Sequence, residues 1–345
     1  MNLLIIKHGA LGDVVRTSYF LPGLARKYGE SIRIFWLTSA AAVDLLRHHP
    51  QLYRITTDTS ELMHTEFDCV ISLDDEHEAA STATRLKTKQ LIGAYESSGT
   101  IVYTPDSTFW FDMGLISRYG KLEADRLKKE NSRSHADIFS EILGITIDKG
   151  VFYNDPLIEQ RWQQRMDPDS FHIGINPFAG NRWPAKDLRM EELRKLVPAL
   201  LDFEAAGKPV IIYFFSEGDD RKRLEELNSA FGRRVEVLDT SASVLDFAAA
   251  IKVMDYLITS DSLGLHLAIA QSVRNLSFYA PTSAAEIDTF GTGIKLCSSS
   301  SDYCSYRKDA DNSSISAERL LDAVYKHVAP ATAETPRVFA NCSDQ

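Results

Sequence analysis

The chain has 345 residues, 44% of them hydrophobic and 25% charged, with a formal net charge of −10. This length suits two domains with substantial cores. Both halves are acidic, which excludes a general nucleic-acid binder, because phosphate binding wants a basic surface.

The four cysteines, Cys69, Cys297, Cys304 and Cys342, are too sparse for a disulfide framework. Cys297 and Cys304 are near enough in sequence to approach each other, yet reduced thiols are the expectation for a cytoplasmic chain. No apolar run reaches transmembrane length. The start, "MNLLIIKHGALGD", has charge and glycine where a secretory signal needs an apolar core. A cytoplasmic protein is expected, with peripheral contact to the inner membrane left open.

In chain order, Leu3–Ile6, Ile32–Leu37 and Cys69–Leu73 read as strands, separated by helical stretches Val14–Tyr28 and Ala40–His48. The alternation predicts βαβ units and a parallel sheet. A polar, proline-bearing stretch, "NDPLIEQRWQQRMDPDS", reads as the domain boundary. Beyond it come strand His172–Asn176, a helix "MEELRKLVPALLDFEAAG" closed by Gly207, strand "PVIIYFF", helix "DDRKRLEELNSAF", strand "VEVL", helix "VLDFAAAIKVM" and strand "YLIT". The expectation is α/β architecture: two Rossmann-like doubly wound domains, residues 1–160 and 161–328, and a loose tail over 329–345. Ligands are expected at the carboxyl ends of the strands.

Four strand-end loops could carry chemistry. In "HGALGD", Gly9 and Gly12 let the backbone turn tightly, and Asp13 is either a helix cap or an acid–base group. The spacing is not that of a dinucleotide fingerprint. In "NPFAGNRWPAKDL", Ala179 and Gly180 permit exposed amides and Lys186 adds a cation, a combination suited to a diphosphate or to an ordinary loop. In "FFSEGDDR", Glu217 could accept bonds from a ribose, with Asp219 and Asp220 read as caps. In "LITSDSLGLHLAIA", Asp261, Ser262 and Gly264 suit sugar hydroxyls and anionic oxygens. His266, alone on an apolar helix, reads as a core residue.

Together and in this order, "KHGALGDVVRTSYFLPGL", "INPFAGNRWPAKDL" and "SDSLGLHLAIA" resemble glycosyltransferase family 9, the heptosyltransferase-like enzymes of GT-B fold, over residues 1–300. The resemblance implies two domains facing each other across a cleft, the first for the acceptor and the second for a nucleotide-sugar donor. It implies inverting transfer of a sugar, a heptose from ADP-heptose above all, without a metal or other cofactor. Asp13 then corresponds to the general base. Lys186 corresponds to the group that neutralises the departing diphosphate, Asp261 to a ligand of the sugar, and Ser262, Gly264 and His266 to the phosphate loop. Glu217 becomes the ribose candidate. The acceptor is left open among a glycan, a protein and a small molecule, and no nucleic-acid partner is expected.

The pattern departs from the family at Phe178, where a glycine is usual, and at Ser262, which stands for threonine. Leu263 also precedes Gly264, which puts the phosphate-binding amides in doubt by one position. The acidic "DDEHE" at 74–78 reads as a solvated loop. The alternative to an enzyme is a nucleotide-sugar-binding module without transfer activity. Intact Asp13 and Lys186 favour the enzyme.

Overall fold

The computed structural model describes residues 1–328 apart from positions 30, 181–182, 204, 206, 217, 230 and 242. The expected tail therefore lies outside the described residues, as does Glu217. The chain divides into two compact units, Met1–Tyr153 with Glu286–Asp288, and Asn154–Ala285 with the remainder.

In the first unit the strands are β1 (Asn2–Ile6), β2 (Arg33–Leu37), β3 (Leu52–Thr56), β4 (Glu66–Phe67), β5 (Cys69–Ser72), β6 (Lys87–Thr88), β7 (Leu91–Ser97) and β8 (Thr100–Tyr103). Six of them form one sheet in the order β3-β2-β1-β5-β7-β8, while β4 pairs only with β6. All pairs in the large sheet are parallel except β7 with β8. That hairpin turns through Ser98 (φ 52°) and Gly99 (φ +77°), two successive left-handed residues as a tight two-residue hairpin requires. Leu4, Ile6, Phe35, Leu37, Val70, Ala79 and Ala83 pack one face of this sheet.

The expected helix Val14–Tyr28 is two helices, Leu11–Ser18 and Phe20–Tyr28. Pro22 supplies the reason: its ring would clash with the carbonyl four residues back, at Ser18, so the first helix ends there. Similarly, Ala40–His48 is a short 3₁₀ turn, Ala40–Ala42, followed by helix Val43–Leu46.

The second unit has strands β9 (Phe171–Asn176), β10 (Val210–Ser216), β11 (Val235–Asp239), β12 (Tyr256–Ser260), β13 (Arg274–Tyr279) and β14 (Gly293–Cys297). They form a wholly parallel sheet in the order β11-β10-β9-β12-β13-β14. Its core gathers Ile173, Ile175, Leu193, Leu196, Ile212, Phe214, Ile258 and Leu320.

The stretch read as the domain boundary contains helix Pro156–Arg165, which belongs to this unit. Asp155 caps it by accepting the amides of Leu157 and Ile158, and Pro156 begins it. Trp162 is buried and donates to Asp246 Oδ1 at 3.2 Å. Helix Met190–Leu201 also stops short of Gly207. Ala205 and Lys208 exchange backbone hydrogen bonds of 3.2 and 3.0 Å, so Gly207 (φ +75°) closes a tight turn into β10. Cys304 is buried.

Each sheet reverses strand order once at its centre, between β1 and β5 and between β9 and β12. Doubly wound sheets bind ligands outside the carboxyl ends of strands at such a reversal.

Candidate active site

In the first unit, Ile6 pairs with Ser72, so the chain leaves β1 and β5 side by side. Lys7 comes off β1 with its carbonyl held by the Trp36 indole at 3.2 Å and the Thr38 hydroxyl at 2.8 Å. Its ammonium pairs with Asp74 Oδ1, and the other carboxylate oxygen of Asp74 accepts the His8 amide. Asp74 is thus a buried anchor and not part of a solvated loop: its side chain is 7% exposed.

Asp13 lies in the first turn of helix Leu11–Ser18, three residues after the N-cap Ala10. Its Oδ1 accepts from Arg16 at 2.9 Å, and its Oδ2 is 4.0 Å from the Lys7 ammonium. At 35% exposure it remains open to solvent. The Arg16 guanidinium in turn lies 5.5 Å from the centre of the Trp110 ring. Lys7 therefore sits between a buried carboxylate and an accessible one.

In the second unit, Asn176 pairs with Thr259, and Asp261 follows the end of β12. Lys186 reaches it from a 3₁₀ turn, Pro184–Lys186, in the loop after β9. The ammonium donates to the Asp261 carbonyl at 2.7 Å and to Oδ2 at 2.9 Å. An ammonium has three N–H donors, so one remains for a ligand. His266 Nε2 stands 3.8 Å from the other carboxylate oxygen. Burial pushes the Asp261 carboxyl up, but Lys186 and His266 outweigh it and hold the group well below the usual carboxylate range.

Below this cluster, Asn176 Nδ2 donates to Thr259 Oγ1 at 3.1 Å and to Ser262 Oγ at 3.2 Å. Gly264, in the first turn of helix Leu263–Ala270, packs against them: a Cβ there would come within 2.9 Å of Asn176 Nδ2. Among the described residues no group of three His, Cys, Asp or Glu side chains is placed to hold a metal ion.

Residues 59–315 match the family model "Glycosyltransferase family 9 (heptosyltransferase)". The chain belongs to this family. Its fold is that of solved GT-B glycosyltransferases. A glycosyl transferase family 9 structure from Veillonella parvula DSM 2008 matches with a TM-score of 0.71 and 18% identity, covering 95% of this chain and 97% of that one. The E. coli heptosyltransferase WaaC with ADP matches with a TM-score of 0.64 and 16% identity, covering 94% and 99%. The E. coli ADP-heptose lps heptosyltransferase II gives 0.65 and 16%, covering 94% and 97%. None of the curated proteins matches this sequence.

Several features of this family 9 glycosyltransferase sit differently from the expectation. The Ala179 amide is not open to a ligand, because it donates to Asp187 Oδ1 at 2.8 Å. Burial raises the Asp187 carboxyl despite that bond. Gly180 takes φ +74° and would leave a Cβ in open space, so the loop needs glycine for its backbone angle. Phe178 faces inward, buried in the core, with the Arg223 guanidinium 5.0 Å from its ring centre.

The Ser262 hydroxyl is engaged with Asn176 and Thr259, and the buried His266 is brought against Asp261. A Cβ at the half-buried Gly9 would meet open space, and Gly12 is buried in the first turn. Lys7, Asp74 and Asn176 were missed. A polar residue at the end of an apolar strand beside the reversal was the available signal, in "LLIIK", "CVISLDD" and "HIGIN".

Proposed function

We propose that this glycosyltransferase moves a sugar from a nucleoside-diphosphate donor to an acceptor hydroxyl with inversion, a heptose from ADP-heptose being the favoured donor. The bound ligands named for WaaC, ADP and ADP-2-deoxy-2-fluoro heptose, support the donor class. The acceptor oxygen attacks the anomeric carbon while its proton passes to the Asp13 carboxylate. The bond from the anomeric carbon to the diphosphate oxygen breaks, and its electron pair leaves with the phosphate.

Lys7 and Arg16 orient Asp13 while leaving it accessible. Lys186 offsets the charge that grows on the departing diphosphate, which takes the place of a metal ion. Asp261 positions Lys186 through two contacts, and His266 backs Asp261 from the other side. The observation that carries the reading is the Lys186 ammonium, fixed at the reversal of the second sheet with one donor to spare.

The test is turnover with a panel of ADP-, UDP- and GDP-sugars, each with and without EDTA. Release of free nucleotide together with a new glycoside, unaffected by EDTA, is the expected result. Donor binding with no release would make the chain a binding module, and a strict need for Mg²⁺ or Mn²⁺ would displace Lys186 from its role.

A further inference from the structure

Lys186 reaches Asp261 from a turn of only three residues, Pro184–Lys186. A 3₁₀ turn that short holds its shape poorly by itself, because its last carbonyls have no partner inside it. Its backbone bonds run from the Lys186 amide to the Trp183 carbonyl at 2.9 Å and from the Asp187 amide to the Pro184 carbonyl at 3.0 Å. The carbonyls of Ala185 and Asp187, on either side of Lys186, are not satisfied by the turn.

Asn312 meets both. Its Nδ2 donates to the Asp187 carbonyl at 2.8 Å and to the Ala185 carbonyl at 3.3 Å, across 125 and 127 positions of chain. An amide nitrogen carries two N–H donors, and only that end of the side chain can face two carbonyls. One side chain thus straddles Lys186 along the backbone. Asn312 is itself held, in the segment between β14 and helix Ala317–Val328. Its carbonyl accepts the Ile315 amide at 3.0 Å. The neighbouring Ser313 carbonyl accepts from Arg189 at 2.8 Å, and the Asp311 carbonyl accepts from the Ser298 hydroxyl, next after β14, at 3.2 Å.

We propose that Asn312 is a positioning residue for the departing diphosphate, acting through Lys186. This rests on Lys186 meeting that diphosphate. A lysine stem is long and flexible, so its tip is placed well only if its root is fixed too. Asp261 fixes the tip through two contacts, and Asn312 fixes the root. Displacing a charged group by about 1 Å can cost about a hundredfold in rate. A merely structural Asn312 would tie down its loop and affect every ligand alike.

The test compares Asn312→Ala, Lys186→Ala and the double variant. ADP binding is measured by calorimetry, adenosine binding by ligand-observed NMR, and folding by melting temperature. Asn312→Leu serves as a second variant, since it keeps the shape and removes both donors. Either Asn312 variant should bind ADP about tenfold more weakly, the loss of one or two hydrogen bonds, and adenosine as before. In the Lys186→Ala background the Asn312 change should add nothing further to the loss of ADP affinity, because residues that act as a unit are not additive. Equal weakening of ADP and adenosine, or a full further loss in the double variant, would overturn the proposal. So would wild-type ADP binding by both Asn312 variants while Lys186→Ala binds it weakly. Wild-type ADP binding by Lys186→Ala would instead remove the role of Lys186, and that of Asn312 with it.

Discussion

The two sheets share one strand order and set a lysine–aspartate pair at the same place in it, yet they use the pair in opposite ways. In the first unit the buried aspartate is Asp74, and a second, more exposed carboxylate, Asp13, approaches the same lysine. In the second unit one buried carboxylate, Asp261, is shared by Lys186 and His266. One reversal thus ends in an accessible carboxylate, and the other in a held cation. The shared strand order sets where polar groups converge, while the third group, a carboxylate at Asp13 or an imidazole at His266, decides what the convergence is suited to do.

The largest expected effect separates Asp13 from Asp74. Asp13→Asn should cost roughly 10²–10⁴ in turnover, with donor affinity and melting temperature near wild type. Asp74→Asn should act on folding instead, because it leaves Lys7 without its buried partner; about 3–5 kcal/mol of stability is at stake. A denaturation curve beside a rate measurement distinguishes the two. If Asp13→Asn lost stability and kept its rate, the proposed roles of the two carboxylates would be exchanged.

Next in size is the second unit's pair. Lys186→Ala should lower turnover by about 10²–10³ and weaken binding of the bare nucleoside diphosphate. Asp261→Ala should weaken the same ligand too, since Lys186 loses the carboxylate that holds it in place. Calorimetry with nucleoside diphosphate and with intact donor gives the comparison. Loss of donor affinity alone in Asp261→Ala would mean that Asp261 meets the sugar and does not position Lys186.

Acid should distinguish the units by stability. Burial pushes His49 down to about 4 from an ordinary 6.5. The unfolded chain therefore binds a proton between those values that the folded chain refuses. The contribution is complete above about pH 6.5 and lost as pH falls toward 4, on the order of 3 kcal/mol. Burial shifts His172 of the second unit in the same direction, but the larger effect belongs to His49. Asp261, held low, keeps its pairing with Lys186 through this window. His49→Gln should flatten the acid limb of a pH–stability profile more than His172→Gln. An unchanged slope would remove His49 from the account.

The smallest effect compares two glycines. Gly264→Ala must move Asn176, whose amide is already committed to Thr259 and Ser262, and should cost about 1–3 kcal/mol. Gly9→Ala adds a methyl in open space and should stay within about 0.5 kcal/mol. Melting curves of both variants check this. Equal losses would show that Gly9 is held to a conformation that alanine resists.

The sequence by itself determined the parts that depend on neighbours along the chain. Apolar runs alternating with helical periodicity are a local property, and they placed β1, β2, β5, β9, β10 and β12 and the two-sheet architecture. The loops holding Asp13, Lys186 and Asp261 were legible for the same reason, since each directly follows one of those strands. Only the tertiary structure decided which loops meet. Lys7 finds Asp74 across 67 positions and Lys186 finds Asp261 across 75, because reversal of strand order brings together strands that are distant in the chain. The same crossing buries Asp74, the first residue of "DDEHE", as an anchor, while Glu76, His77 and Glu78 stay exposed as expected. It closed the Ala179 amide with Asp187 and turned the Ser262 hydroxyl toward Asn176. A strand-end polar residue announces itself in sequence, but its partner is chosen by the packing of the sheet.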